Sequence, residues 1–205
     1  DLISLPDEHL SFRNEMSCQF NLPMAYVPAM RNAVTSLSPW GWSAQMRHRF
    51  KAMGFAKELL PGDAEIERMR DLSSRVLTID ILTALRDAGI DTPPIPRYID
   101  NLDDAIAFVD CCERCVVKAP WSGSGKGIAW GIGRVETPME HFYKGVIRRQ
   151  GGVVCEEFLN GKVEFAMEFY TDDDMVSFAG YSLFKSFKGS YSGNILAGDS
   201  AIEQF

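Results

Sequence analysis

"VVKAPWSGSGKGI", Val116 to Ile128, is the stretch that decides how the chain is read. Two β-branched residues and Lys118 make the end of an apolar strand, and the loop after it alternates Gly123, Gly125 and Gly127 with Ser122, Ser124 and Lys126. Glycine loses more backbone freedom on ordering than any other residue and brings no side chain to pack. A loop of that composition should serve something other than the core. Bare N–H groups and serine hydroxyls donate to phosphate oxygens, the backbone can approach a polyanion closely, and Lys126 adds charge. Lys118 favours the same reading, because it places a second cation where phosphates under such a loop would lie. The competing reading is a tight glycine hairpin with no ligand.

Two other phosphate motifs do not fit. A P-loop needs GxxxxGK[ST], whereas Pro120 stands five residues before Gly125 and Gly127 follows Lys126, which leaves no hydroxyl for magnesium. A dinucleotide fingerprint needs GxGxxG at the start of a helix. Here the spacing is GxGxG, and "GIAWGIG" after it has strand character. The loop is therefore predicted to join two strands of a hairpin, as a flap over phosphates.

Working outward, "LSSRVLTIDILTALRDAGIDTPPIP" from Leu72 predicts a helix opened by capping serines, with Leu77, Ile81 and Leu85 on one stripe and Gly89 ending it before three prolines. An extended piece at Pro96 to Ile99 leads to a second helix, capped by Asp100, with Leu102, Ala105, Ile106 and Val109 inward. The strand Cys115 to Lys118 follows. Beyond the loop, "TPMEHFYKGVIRRQGG" predicts a helix with Thr137 as cap, Pro138 at its first position, Glu140 completing a capping box and Gly151 at its end. "VVCEEFL" reads as a strand. "VEFAMEFYTDDDMVSFAGYSLF" alternates as a hairpin turning at three acids, with Val163, Phe165, Met167 and Phe169 on one face and Glu164 and Glu168 on the other. In the weakly patterned first 70 or so residues, Ser43 caps a helix that Gly54 ends, and Trp40 and Trp42 ahead of it are expected to be packing anchors.

The totals bound the function. A chain of 205 residues, 46% hydrophobic and 24% charged, can bury a core, and no apolar run approaches the about 18 residues of a membrane span. The start has none of the zones of a secretory signal, so a cytoplasmic protein is expected. The chain begins without methionine, and we expect it to be a piece of something longer. A net charge of −7 without a long basic run argues against a nucleic-acid surface, and Arg47, His48, Arg49 and Lys51 read as a solvated helix face. Five cysteines cannot all pair internally. Cys112 and Cys115 form a single CxxC with Cys111 beside it, too few ligands for structural zinc, and are expected to be buried or half-buried thiols.

Taken in order, "SSRVLTIDIL…GIDTPPIP", "VVKAPWSGSGKGI" and "VVCEEFLNGKVEFAMEF" resemble the ATP-grasp enzymes over about Leu72 to Asn194. The resemblance implies an α+β fold whose two lobes grip ATP, with Mg2+, and a reaction that activates a carboxylate as an acyl phosphate for an amine-type nucleophile. It implies a domain division at residues 1–71, a smaller N-terminal pre-ATP-grasp-like domain, α/β or mostly helical, and 72–205, a partial ATP-grasp domain with its first lobe at about 72–155 and the start of its second at about 156–205. Residue by residue, it implies that Arg75 reaches the nucleotide phosphates, that Lys118 meets the α-phosphate, and that Ser122, Gly123, Ser124, Gly125, Lys126 and Gly127 form the flap over the β- and γ-phosphates. Glu156, Glu157, Phe158 and Leu159 match the hinge that meets the adenine edge. Glu164 matches the acid on the ribose hydroxyls, and Lys185 or Lys188 a second-lobe lysine near the γ-phosphate.

The chain departs from the family pattern at the metal. The acid, Glu and Asn that hold magnesium late in the second lobe are not matched, and Asn194, expected in a loop without paired acids, is not taken as a ligand. A small-molecule kinase on the same fold and a nucleotide-binding module without catalysis therefore stand beside the ligase reading. The expected partners are ATP, a small-molecule carboxylate and a nucleophile, with neither nucleic acid nor membrane. Replacing Lys118 with Ala is expected to weaken ATP binding with melting nearly unchanged.

Overall fold

The computed structural model describes residues 10–20, 34–123, 125–161, 163–172, 175–187, 190–195 and 198–202. The chain forms two compact units, Asp1–Leu72 and Ser73–Phe205. Regular structure in the described part of the first is helical: α1 (Leu10–Phe20), α2 (Ala44–Ala52), a 3-10 turn at Lys57–Leu59 and α3 (Asp63–Leu72). Ser43 caps α2 as its sequence predicts, its Oγ accepting from the Met46 amide at 3.1 Å. Trp42 packs on Phe50 with ring centroids 5.5 Å apart, and Phe50 packs on Phe55. Trp40 is fully exposed, so only one of the two expected anchors packs; the turn at Gly41 leaves Trp40 on the solvent side of the helix start. Within the basic run, Arg47 is drawn off the solvated face onto the Pro61 carbonyl at 3.2 Å and the Asp63 carboxylate.

The second unit begins with α4 (Leu77–Asp87), β1 (Arg97–Ile99), α5 (Leu102–Cys111), β2 (Cys115–Lys118), β3 (Ile128–Gly131), α6 (Thr137–Gln150) and β4 (Val153–Glu157). Its four strands form an antiparallel sheet in the order β1-β4-β2-β3. Alternation along the strands sends Cys115, Val117, Val153 and Cys155 to one side, where they are buried with Ala105 and Val109 of α5 and Tyr143 and Val146 of α6. Burying each valine there contributes about 1.5–3 kcal/mol. The packing is close enough that a Cβ on Gly131 would stand 2.5 Å from Cys115 Sγ and 2.7 Å from Val109. The opposite side of the same strands carries Val116, Lys118, Ile128, Trp130, Val154 and Glu156 in register.

Helix starts differ from the sequence reading: α4 begins after Val76, which makes no side-chain cap bond, rather than at the serines, and α5 and α6 shift by a residue. Asn101 rather than Asp100 caps α5, because its side-chain oxygen stands at the right offset to accept from the Asp104 amide at 2.9 Å. Glu136 rather than Thr137 is the cap of α6, since its carbonyl receives the Met139 and Glu140 amides. Gly151 ends α6 in the left-handed conformation at φ 84°, as expected. On α4 Leu77, Ile79, Leu82 and Leu85 are half-buried and Ile81 is 49% exposed, so the two ends of the expected stripe turn inward and its middle residue does not.

A second antiparallel sheet, β5-β6-β7, is built from β5 (Glu164–Asp172), β6 (Met175–Phe187) and β7 (Ser190–Ile195), with α7 (Asp199–Ile202) after it. Phe165, Met167 and Phe169 share one face of β5 and Glu164 and Glu168 the other, in the predicted alternation. That apolar face is exposed at all three positions. Asn194 lies on β7 opposite Phe184, not in a loop, because the β6-β7 pairing carries the chain through "SYSGNI" as strand.

Candidate functional site

The glycine loop joins β2 to β3, which pair residue by residue from Cys115 with Gly131 to Lys118 with Ile128. Its base is pinned from three directions. The Ala119 amide donates to the Gly127 carbonyl at 2.8 Å, the Trp121 amide donates to Gln150 Oε1 at 2.9 Å, and Arg75 reaches it from the segment before α4. The Arg75 amide donates to the Pro120 carbonyl at 3.0 Å, and its guanidinium donates to the Ala119 carbonyl at 2.6 Å and to Ser122 Oγ. Burial holds the Arg75 pKa below its ordinary value, and the nearby Glu156 carboxylate acts against that.

The tip is open. Gly123 has no atom within 4 Å of a built Cβ and Lys126 is exposed, its amide closing a turn onto the Gly123 carbonyl at 3.0 Å. Gly127 needs to be glycine on two counts. Its φ is 64°, and a Cβ would stand 2.5 Å from Ser122 Oγ. Ser124 lies outside the described residues.

Lys118 Nζ lies 2.5 Å from Glu156 Oε1 across the β2-β4 pair, with both side chains about three-quarters covered. The loop mouth thus holds two cations, Lys118 and Arg75, sharing one carboxylate. The local balance is positive, and an anion there meets charge-assisted donors and the main-chain N–H groups of the glycines. Two residues back along β2, on the same face, an aromatic end begins. Trp130 is 43% exposed and meets Phe158 edge-on with centroids 5.7 Å apart, and the Arg114 guanidinium lies 3.8 Å above the Phe158 ring.

The structure therefore brings Arg75, Lys118, Ser122 and Glu156 together at the loop. Phe158 follows on the same face, with its amide committed to the Arg114 carbonyl at 3.1 Å; Glu157 and Leu159 are exposed beside it. Glu164 opens β5, and its carboxylate accepts from the Ser186 amide at 2.8 Å and the Ser186 hydroxyl at 2.6 Å. Lys185 is exposed on the opposite face of that sheet from Glu164, because Glu164 pairs with Phe184 and side chains alternate along β6. Those two do not converge on one ligand surface. Lys188 lies outside the described residues.

Sequence reasoning passed over Arg114 and Trp130. The signal was present for Trp130: strand alternation in "GIAW" puts it on the side of Ile128, which faces Lys118. A cavity of about 850 Å³ between α5 and β1 is lined by Arg97, Tyr98, Phe108 and Cys112 and reaches β4 at Glu156 and Glu157, so it adjoins the hinge residues. The cysteines are free thiols; burial pushes Cys115 up to about 11 and Cys155 up to about 12. Among the described residues no group of three or more His, Cys, Asp or Glu is placed to hold a metal ion. Nor is any described helix long and apolar enough to cross a membrane.

No family model and no curated protein matches the sequence. Solved structures do. N5-carboxyaminoimidazole synthetase from Staphylococcus aureus is similar over 99% of this chain and 52% of its own, at 14% identity and a TM-score of 0.50. The same enzyme complexed with ADP matches over 67% of this chain and 36% of its own, at 17% identity and 0.47. D-alanyl-alanine synthetase A from Vibrio cholerae matches over 62% of this chain and 43% of its own, at 14% identity and 0.40. The chain spans about half or less of the length of each. At these identities the likeness concerns the fold alone.

Proposed function

From the premise that this chain has the ATP-grasp fold, we propose that it binds ATP on the Lys118 face of its four-stranded sheet. We further propose that it serves an ATP-dependent ligase that activates a carboxylate as an acyl phosphate for attack by an amine-type nucleophile. The observation that carries the reading is the meeting of Arg75 and Lys118, 43 positions apart in the sequence, at the mouth of a side-chain-poor loop. A core has no use for that arrangement, since it half-buries two cations against one carboxylate.

In this reading the triphosphate lies under the loop. Lys118 turns from Glu156 toward the α-phosphate, and Arg75, which already holds Ala119 and Ser122, fixes the loop over the β- and γ-phosphates. Loop amides at Gly123, Gly125 and Gly127 donate to phosphate oxygens, and Lys126 adds charge from the tip. The hinge from Glu156 to Leu159 meets the base, with the Phe158 amide already donating to the Arg114 carbonyl. Glu164 binds the ribose hydroxyls, with Ser186 orienting it. Transfer of a phosphoryl group depends on positioning and charge neutralisation, and the residues here supply the positive side of both. Magnesium would be carried by the nucleotide, so no step is assigned to it.

A single incubation separates the readings. The protein is mixed with ATP labelled at the γ-phosphate, magnesium, a panel of small carboxylates and hydroxylamine, which intercepts acyl phosphates as hydroxamates. Hydroxamate formed with release of phosphate supports the ligase. A stably phosphorylated small molecule without hydroxamate replaces it with a kinase, and ATP binding with neither product replaces it with a binding module.

A further inference from the structure

We infer that Cys112 and Cys115 form a redox modification site, a dithiol that a low-molecular-weight disulfide converts to a Cys112–Cys115 bond by exchange. Cys112 is the cap that ends α5, and Cys115 is the first residue of β2. The chain bends at Glu113 and Arg114 between them, which folds the start of the strand back beside the end of the helix. Cys112 is half-buried against the core cluster that holds Cys115, and the Cys115 thiol donates a hydrogen bond to Cys112 Sγ. Gly131 leaves the room this needs: it pairs with Cys115, and a Cβ there would stand 2.5 Å from the Cys115 sulfur. Cys155 is a poorer partner for Cys115. It lies on the same face but one diagonal step away across β2 and β4, a separation of about 7–8 Å that exceeds the usual reach of a disulfide.

The two thiols divide the work of an exchange reaction. Cys112 lines the cavity between α5 and β1, whereas Cys115 is 1% exposed behind it. Burial, Glu157 and Cys111 raise the Cys112 pKa, against which the Cys115 hydrogen bond and Arg97 act, and burial pushes Cys115 up to about 11. Cys112 therefore ionises first and attacks first. Its thiolate forms a bond to one sulfur of the reagent, the reagent's S–S bond breaks, and one small thiol leaves. Cys115 then gives up its proton and attacks the Cys112 sulfur, expelling the second small thiol. Two protein thiols are oxidised, the reagent disulfide is reduced to two thiols, and the two protons end on those products. Asp104 and Glu157 face Arg97 across the cavity lining, so a cationic disulfide such as cystamine enters more readily than the anionic glutathione disulfide.

The test uses the full chain with Cys18 and Cys111 replaced by Ser, which removes the exposed thiols. After incubation with cystamine, acid quench and alkylation in denaturant, mass spectrometry should show the loss of two hydrogens, with the bond mapped to Cys112 and Cys115. In the same background Cys115→Ala should stop at the mixed disulfide, with one cysteamine on Cys112. Cys112→Ser, at a half-buried position, should leave the remaining buried thiols unreacted, and glutathione disulfide should give the same bond severalfold more slowly. A mixed disulfide that persists on Cys112 while Cys115 is present, a bond mapped to another pair, or no oxidation of the folded protein under conditions that oxidise it in denaturant, overturns the assignment.

Discussion

Replacing Lys118 with Ala removes one cation from the loop mouth and one partner from Glu156. The Lys118–Glu156 contact is 2.5 Å long and each side chain is about three-quarters covered, which places it between an exposed pair and a buried one. Exposed pairs contribute about 0.2–1 kcal/mol, whereas breaking a fully buried pair costs about 3–5 kcal/mol because one charge is stranded. Here the carboxylate is not stranded, since the Arg75 guanidinium remains within its electrostatic reach. The expected loss is therefore about 1–2 kcal/mol, or a fall of about 3–8 °C in Tm for a unit of this size. The sequence alone implied almost no change in melting, because the partner on β4 could not be seen from β2. Loss of a charge-assisted contact to phosphate adds about 1.5–3 kcal/mol in binding, roughly 10- to 150-fold weaker ATP by calorimetry. Glu156→Gln serves as the control for melting: it breaks the same ion pair from the other side and should lower Tm by a similar amount. A Lys118→Ala protein that melts lower yet binds ATP within twofold of the original would show that the lysine serves the sheet and not a nucleotide.

Further outcomes follow from the core and the loop. Gly127→Ala should destabilise by about 1–3 kcal/mol in thermal melts, since it forces a positive φ on alanine and drives Cβ into Ser122, while Gly123→Ala, with open space around it, should melt within about 0.5 kcal/mol of the original. Tyr143 is fully buried and its hydroxyl has no hydrogen-bond partner among the described residues, so Tyr143→Phe should raise stability by about 1 kcal/mol; a loss of more than 1 kcal/mol in denaturant titration would reveal a partner for that oxygen. Cys115 and Cys155 keep their protons in the fold up to about 11 and about 12, against an ordinary value of 9.0. Stability from these thiols is thus complete below pH 9 and declines as pH rises through that window, by about 1.4 kcal/mol per pH unit per thiol; Cys155→Ala should flatten the decline.

The hairpin, its loop and the alternation of β2 were legible because each rests on local rules: β-branched residues, glycine chemistry and a period of two. Those rules placed Lys118 correctly at the strand end and Val117 in the core. The contacts that give the site its character were not legible. Lys118 meets Glu156, and Phe158 meets Trp130, only because β4 lies beside β2 in the sheet order β1-β4-β2-β3, and such non-local pairing leaves no mark in either segment alone. Arg75 was found through the ordered motifs of a family, since a helix-end arginine has no local feature that points to a loop more than 40 residues away. Helix caps slipped by one residue where two eligible residues adjoin, as at Asp100 and Asn101. On α4 only Ile81 departs from the expected stripe, because Ile79 and Leu82, which also fit a helical spacing, take the inward side there.

The most direct test of the central claim is the set of backbone amide shifts recorded by NMR as ATP is added to the protein. The largest movements are expected at Arg75, Lys118, Gly123, Gly125 and Gly127. Movements confined to other parts of the chain, with these amides still, would contradict it.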